Sequence, residues 1–235
     1  MSVRGSLGLV GAFTAFWIVA LPLDRGATEA QQLALGLVAW AFLAVALRVQ
    51  PREVRTQVLV LVFVATTLEV VGSILWRAYT YRLGNLPLFV PAGHGLFYLA
   101  ALRAASLPSL IRHERLIVTA VTVVATAWMV WGLARPLPDL LGFVTWAVFL
   151  RFILRGRYPL LYALSFVMTT ALELYGTSLG IWRWSALLPG LWLPAGNPPT
   201  GIGAGYCAMD ALTRRIVATI RLRGRRAPAE ERGAA

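Results

Sequence analysis

Two glutamates lie deep inside apolar stretches of the chain, and each has the same local setting. Glu69 and Glu173 both follow a Thr-Thr pair by two or three residues, and both precede a glycine, Gly72 or Gly176, by three residues. An ionisable side chain inside a bilayer is costly and normally has a functional or pairing role. Apolar surroundings favour the protonated form of a carboxyl, which can act as a general acid. We therefore predict that Glu69 and Glu173 are catalytic, as donor and base or as a symmetric pair.

Two short motifs place further polar residues near these acids. Val90-Pro-Ala-Gly-His94 and Leu193-Pro-Ala-Gly-Asn197 match each other, and proline is favoured at a helix start. We expect His94 and Asn197 to project from the outer ends of two helices and to position water or substrate. Pro198 and Pro199 follow Asn197, so that the second of these helices is expected to begin late or to be broken.

Aromatic and basic residues fill the two loops that follow the glutamates. Their rings could shield a cationic intermediate by cation–π contact, or they could form an ordinary interfacial belt with arginines that extend to the headgroups. The sequence leaves both interpretations open. As a substrate-binding set, these loops supply Trp76, Arg77, Tyr79, Tyr81, Trp182, Arg183 and Trp184.

Two aspartates are expected to have other roles. Asp210 lies four and five residues before Arg214 and Arg215, which favours an ion pair within one helix. Asp139 is expected at the outer edge of an apolar run, within reach of water. With one cysteine and two histidines in the chain, neither an internal disulfide nor a metal site rich in cysteine or histidine is expected, and we predict no metal and no cofactor.

Composition places these residues in a membrane. The chain of 235 residues is 58% hydrophobic and 14% charged, and all 22 of its basic residues are arginines. The arginines cluster between apolar runs, which is typical of membrane-flanking loops rather than of a nucleic-acid-binding face. We therefore expect a lipid bilayer, and a membrane lipid or isoprenoid substrate, as partners, and no nucleic acid.

The apolar runs predict an all-α bundle of eight transmembrane helices. Most arginines fall on the side of the termini, and the positive-inside rule then places both termini in the cytoplasm of a multi-pass cell-membrane protein. The first run is interpreted as a retained helix rather than a cleaved signal. The predicted spans lie near residues 6–23, 31–48, 56–76, 88–106, 116–134, 138–154, 158–182 and 193–218.

Repeated segments divide the spans into two sets of four. In addition to the motifs above, Leu35–Ala41 matches Leu141–Ala147, Phe63–Ser73 matches Phe166–Thr177, and Trp76-Arg77 matches Trp182-Arg183. The sequence thus predicts a first repeat over 1–110, a second over 111–220 and a disordered basic cytoplasmic tail over 221–235. Copies with an even number of spans share one orientation, so a pseudo-twofold axis along the membrane normal should place the related sites face to face.

Two segments of the chain resemble the integral-membrane carotenoid-biosynthesis proteins that include the hydratase of long-chain bacterial carotenoids. The resemblance implies a membrane helix bundle that acts on an isoprenoid. Pro198 and Pro199 stand where that family has aromatic residues, and its Pro-Phe-Gly before Tyr-x-Tyr is missing here. The shared motifs are Glu69-Val-Val-Gly72, Tyr79-Thr-Tyr-Arg-Leu-Gly84 and Val90-Pro91 in the first segment, and Gly180-Ile-Trp-Arg-Trp184, Pro189-Gly190 and Pro194-Ala-Gly-Asn197 in the second.

Three functions remain open from the sequence. The first is an intramembrane enzyme that protonates a double bond of an apolar isoprenoid or carotenoid-type lipid, with hydration, cyclisation or isomerisation as the outcome, and thus a lyase or an isomerase. The second is a non-enzymatic binder or proton-coupled transporter of a lipid or small molecule. The third is a structural membrane protein whose glutamates hold helices together.

Overall fold

The computed structural model describes the backbone over residues 2–233 and the side chains up to residue 222. Most of the chain is helical, and one pair of short strands lies in the loops between helices. The helices are α1 (Val3–Arg25), α2 (Glu29–Arg48), α3 (Arg52–Glu69), α4 (Phe89–Ala105), α5 (Pro108–Arg112), α6 (Glu114–Leu133), α7 (Leu140–Arg155), α8 (Pro159–Ser178) and α9 (Ala204–Gly233). The strands are β1 (Tyr79–Tyr81) and β2 (Trp182–Trp184).

Local sequence signals set several of these boundaries. Ser2 caps α1, and Thr28 forms a capping box with Gln31 at the start of α2. A π-helix over Val70–Leu75 continues α3 directly after Glu69. Such a widened turn accommodates one more residue than the same length of α-helix and is frequent at functional sites.

Five helices within the described residues are long and apolar enough to cross a membrane. They are Val3–Arg25, Glu29–Arg48, Arg52–Leu75, Glu114–Leu133 and Pro159–Ser178. Since α4 and α7 have only 17 and 16 residues, they fall short of that length, and the number of eight spans stays a prediction. The structure thus supports a multi-pass membrane helix bundle.

The eighth predicted span differs most from the structure. Residues 193–203 form turns and loop, and α9 begins only at Ala204. Three prolines in this stretch remove backbone donors and fix φ, so the late start expected from Pro198 and Pro199 is confirmed. At the other end, α9 continues to Gly233, beyond residue 221, from which the sequence predicts a disordered tail. The side chains from residue 223 onward lie outside the described residues.

The third and fourth helices of each half meet at the centre of the bundle. Helix α4, which is buried along most of its length, packs against α1, α2 and α3 of its own half and against α8. Helix α9 packs against α7 and α8, and it crosses to contact α3. The contact of α3 with α9 mirrors that of α4 with α8, and short α5 spans the expected boundary between the halves.

Candidate functional site

The paired strands present four aromatic rings on one face. Strands β1 and β2 are antiparallel, with Tyr79 opposite Trp184 and Tyr81 opposite Trp182. Side chains alternate along a strand, so the central pair, Thr80 and Arg183, lies exposed on the other face. The rings of Tyr79 and Trp184 are 4.6 Å apart between centroids, and those of Tyr81 and Trp182 are 6.0 Å apart. The two loops thus form one aromatic surface.

Glu69 accepts hydrogen bonds from the tyrosines of this surface. The Tyr79 hydroxyl donates to Oε2 of Glu69 at 2.8 Å, and the Tyr81 hydroxyl donates to the same oxygen at 2.9 Å. Burial, followed by the nearby Glu69 charge, raises the pKa of both phenols above the ordinary value. The phenols therefore stay protonated and remain donors at neutral pH.

The second oxygen of Glu69 joins a histidine and a further tyrosine. Nε2 of His94 lies 2.9 Å from Oε1 of Glu69, and Nδ1 of His94 lies 2.6 Å from the Tyr206 hydroxyl. Helix α4 carries His94 and α9 carries Tyr206, so this chain of contacts links both halves of the molecule. With three hydrogen-bond partners around it and 9% of its surface exposed, Glu69 has both oxygens paired.

Glu173 accepts its hydrogen bonds from tryptophans instead. The indole nitrogens of Trp182 and Trp184 donate to Oε2 of Glu173 at 2.8 and 3.0 Å. An indole N–H donates and never accepts, so Oε2 acts only as an acceptor. Among the described residues nothing bonds to Oε1, which leaves that oxygen for a proton or a ligand.

A glycine beneath each acid gives its aromatic partner space. A Cβ at Gly176 would lie 1.9 Å from the Trp182 ring, and a Cβ at Gly72 would lie 3.0 Å from the Tyr79 ring. A glycine three residues after each glutamate leaves a gap on the same helix face, and the structure shows that gap filled by the ring that bonds to the same glutamate. The Glu-x-x-Gly spacing thus makes room for the aromatic side chain that donates to the glutamate, rather than for substrate.

Both acids line one cavity of about 290 Å³. Its polar wall consists of Glu69, Tyr79, Tyr81, His94, Glu173, Trp182, Trp184, Thr169 and Tyr206. Apolar residues from α1, α4, α8 and α9, such as Trp17, Phe89 and Met209, form the rest. Leu68 also lines the cavity, and 50% of its surface is exposed on α3, so the cavity reaches the outer face of a helix that is able to span a membrane.

Four of the predicted site residues lie outside the cavity wall. Trp76 donates its indole N–H to the Pro189 carbonyl at 2.7 Å, and the side chains of Arg77 and Arg183 are exposed. Asn197 accepts from the Trp184 backbone N–H at 3.0 Å and so braces β2. Because α9 begins seven residues after Asn197, this side chain belongs to a loop and does not project from a helix beside the glutamates.

One of the proposed sequence matches joins residues that have different contacts in the structure. The offset that relates Phe63 to Phe166 relates Tyr79 to Trp182 and His94 to Asn197, whereas Trp76 and Trp182 do not follow it. Consistent with this, Tyr79–Tyr81 and Trp182–Trp184 are the segments that pair and that bond to the acids. The match of Trp76-Arg77 to Trp182-Arg183 joins residues with different contacts, whereas Tyr79 and Trp182 both bond to the acid of their own half.

The two aspartates have structural roles. Asp210 forms the predicted ion pair with Arg214, with Nε 2.8 Å from each carboxylate oxygen. The expected access of water to Asp139 is wrong, because Asp139 is only 2% exposed. It accepts from the backbone N–H groups of Gly142, Gly196 and Thr200 and so fastens the loop before α9 to the start of α7.

Sequence reasoning assigns no role to Tyr206, although the chain contains a signal for it. Tyr206 and Asp210 are four residues apart on α9, and His94 and Tyr98 are four apart on α4, so each pair lies on one helix face.

Among the described residues, no group of three histidine, cysteine, aspartate or glutamate side chains could hold a metal ion.

Comparisons with known proteins add nothing to this site. No protein-family model matches the chain, and no curated protein or solved structure is significantly similar to it.

Proposed function

We propose that this protein is an intramembrane enzyme that protonates a double bond of an apolar isoprenoid-type lipid. The observation that carries the proposal is the pair of differently bonded carboxyls at one small, largely apolar cavity. An acyclic isoprenoid offers its double bonds as its reactive groups, and a carboxylic acid is a suitable proton donor to them.

In this proposal Glu173 is the acid. Its Oε2 is occupied by two indole donors, so a transferable proton resides on Oε1, which bonds to none of the described residues. Two ionised carboxylates at one small site would repel each other, and Glu69 has the imidazole and two phenols to stabilise its anion. Glu173 is then the carboxyl that keeps its proton.

The proposed chemistry is proton transfer to carbon. The Oε1–H bond of Glu173 breaks as the π electrons of the alkene form a C–H bond, which leaves a tertiary cation and a Glu173 carboxylate. The cation then reacts with water, with a second double bond, or loses a proton, and Glu69 with His94 accepts any proton released. Return of that proton to Glu173 completes the cycle. The four rings of β1 and β2 stabilise the cation through their π faces.

The size and position of the cavity support a lipid that enters from the bilayer. A volume of about 290 Å³ is at the lower limit of ligand pockets, which are about 300–1,000 Å³. It suits one end of a long chain, whose remainder would lie along the outer face of α3 near Leu68. A lipid with an apolar end is thus the proposed substrate class, in line with the resemblance to carotenoid-biosynthesis proteins.

The proposal includes the finer architecture. We infer two four-helix repeats, eight spans and both termini in the cytoplasm, which places the acid cavity towards the outer face of a cell membrane. The mirrored contacts of α3 with α9 and of α4 with α8 support the repeat. The hydrogen-bonding of each acid by its own downstream strand supports it independently.

The test is the production of the full chain in a host whose membranes contain an acyclic carotenoid polyene, followed by mass spectrometry of the extracted lipids. Wild type should give a product that is isomeric with the polyene or heavier by one water, and Glu173→Gln should not. If wild type converts no lipid but shows proton-driven uptake into proteoliposomes, and the Gln variants lose that uptake, the protein is the transporter instead. Loss of the folded protein in both Glu69→Gln and Glu173→Gln would indicate the structural role.

A further inference from the structure

A second polar pocket lies at the opposite end of α8 from Glu173. It has a volume of about 500 Å³, and its wall includes Arg157, Tyr158, Arg214 and Arg221. Tyr158 directly precedes α8, and Glu173 lies about 21 Å further along that helix at 1.5 Å per residue. Since α8 is long and apolar enough to span a membrane, the pocket lies at the level of the lipid headgroups of one leaflet.

Arg214 is held in this pocket by its Nε atom, and its two terminal nitrogens bond to none of the described residues. Asp210 is 1% exposed and engages only Nε of Arg214, while the hydroxyls of Tyr98 and Tyr162 also donate to Asp210. The guanidinium of Arg214 lies 4.0 Å from the centre of the Tyr158 ring. Among the described residues no acceptor bonds to its two terminal nitrogens, so these donors are fixed in place and available.

A second guanidinium approaches the same ring. Arg157 lies 5.8 Å from the centre of Tyr158 and makes no hydrogen bond or ion pair with the residues that the structure describes. Tyr158 is the N-cap residue of α8, and its side chain makes no capping hydrogen bond. The positive end of the α8 helix dipole therefore adds to the charges of the two arginines. Asp210 compensates the charge of Arg214, whereas the charge of Arg157 and the N-terminus of α8 have no anionic partner among the described residues.

We infer that this pocket binds the phosphate group of an anionic phospholipid. Planar guanidinium groups match phosphate oxygens in geometry and charge. Val217, Ala218 and Leu222 line the pocket beside the arginines, and these apolar side chains fit the glycerol and first acyl carbons of a lipid rather than a free ion. The inference does not depend on the proposed reaction, because it concerns a different pocket.

The test uses native mass spectrometry on the full-length protein in detergent, titrated separately with phosphatidylglycerol, phosphatidylcholine and inorganic phosphate. Phosphatidylglycerol should bind most tightly, and Arg157→Gln should weaken that binding about fivefold. Arg157→Gln leaves the Asp210–Arg214 pair intact, so it provides a folded variant even if Arg214→Gln does not fold. The matched control is Arg183→Gln, which removes an equal charge from the exposed face of β2.

Three results would overturn the inference. Unchanged phosphatidylglycerol affinity in Arg157→Gln would show that this pocket is not the site. Equal weakening by Arg183→Gln would show diffuse attraction to the whole basic surface. Inorganic phosphate that binds as tightly as phosphatidylglycerol would exclude the lipid.

Discussion

Glu69 and Glu173 bear the same functional group at the same cavity, yet they lie in different hydrogen-bonding environments. Glu69 meets two phenols and an imidazole, which occupy both of its oxygens. Glu173 meets two indoles, both at Oε2. Phenol and imidazole groups can give and take protons, whereas an indole N–H only donates. One carboxyl thus belongs to a network that can move a proton, and the other has one oxygen, Oε1, that bonds to none of the described residues.

This difference shows how one motif can serve two roles. Each acid has a glycine three residues later and donors from the strand that follows it, so the backbone arrangement is shared. The spacing differs by one residue, because Tyr79 follows Glu69 by ten residues while Trp182 follows Glu173 by nine. The π-helix over Val70–Leu75 absorbs the extra residue. Side-chain type, rather than backbone, therefore distinguishes the proposed acid from the proposed base.

The largest expected effect is the loss of lipid conversion when each glutamate is replaced by glutamine, and it should differ between the two acids. Glu173→Gln keeps an acceptor for the indoles but removes the transferable proton, so lipid conversion should fall by about 10²–10⁴-fold, the usual contribution of general acid catalysis. Glu69→Gln should reduce conversion less than Glu173→Gln does, because His94 remains. Product analysis by mass spectrometry measures both, with exposed Glu29→Gln as the control. Equal losses in the two variants would contradict the assignment of distinct roles.

The second prediction compares the two glycines. In Gly176→Ala the new methyl would meet the Trp182 ring at 1.9 Å, so the ring must move and the free energy of unfolding should fall by about 2 kcal/mol. In Gly72→Ala the contact is 3.0 Å, and the gain in helix propensity of about 1 kcal/mol should offset it. Chemical denaturation in detergent measures both values. If Gly72→Ala were the more destabilising, the close packing of Trp182 on α8 would be wrong.

The third prediction uses pH to test the donors of Glu69. The pKa values of Tyr79 and Tyr81 are raised by burial and by Glu69, so the folded protein holds these protons more strongly than the unfolded chain. Their contribution to stability is therefore complete below about pH 10 and is lost as pH rises, by about 1.4 kcal/mol per pH unit for each tyrosine.

The double variant Tyr79→Phe, Tyr81→Phe should show a shallower loss of stability above pH 10 in denaturation curves. Tyr175→Phe is the control, because that phenol donates to the Ile18 carbonyl rather than to a carboxylate. An unchanged slope in the double variant would mean that the two phenols are not buried beside Glu69 as the structure shows. The indoles around Glu173 do not titrate in this range, so this alkaline effect is specific to one side of the comparison.

The smallest expected effect concerns Tyr206. Tyr206→Phe removes the hydroxyl at Nδ1 of His94, so conversion should fall about fivefold, which corresponds to one hydrogen bond of roughly 1 kcal/mol. Nitrogen NMR should show an altered tautomer population for His94, while His113, whose Nδ1 lies 2.9 Å from the Ser109 carbonyl oxygen, serves as the internal reference. An unaltered His94 signal would rule out a positioning role for Tyr206.

Much of the fold and part of the site follow from sequence because they depend on local patterns. Apolar runs locate the helices, and the paired motifs around Glu69 and Glu173 lead to the cavity and to four of its rings. Trp76, Arg77 and Arg183 belong to the same loops, so the sequence predicts them as part of the site. Whether such a side chain faces the cavity depends on its exact position, because side chains alternate along a short strand and Arg77 has a left-handed backbone (φ 57°).

The remaining errors come from long-range contacts. Asp139 caps α7 through the nearby Gly142 N–H, which is a local pattern, but its burial also depends on the distant backbone N–H groups of Gly196 and Thr200, which no local pattern predicts. Tyr206 joins the site only because α4 and α9 come together. Asn197 braces a strand because the prolines after it delay α9, a delay that the sequence predicts without the consequence for this side chain.

The most direct test of the central proposal is solvent isotope incorporation. The purified protein in nanodiscs that contain an acyclic carotenoid polyene is incubated in heavy water, and the lipids are analysed by mass spectrometry. If Glu173 delivers an exchangeable proton to carbon, the wild-type product carries deuterium bound to carbon, Glu29→Gln gives the same product, and Glu173→Gln gives none. Deuterium in the Glu173→Gln product at the wild-type rate, or a product that has no carbon-bound deuterium, would contradict the proposal.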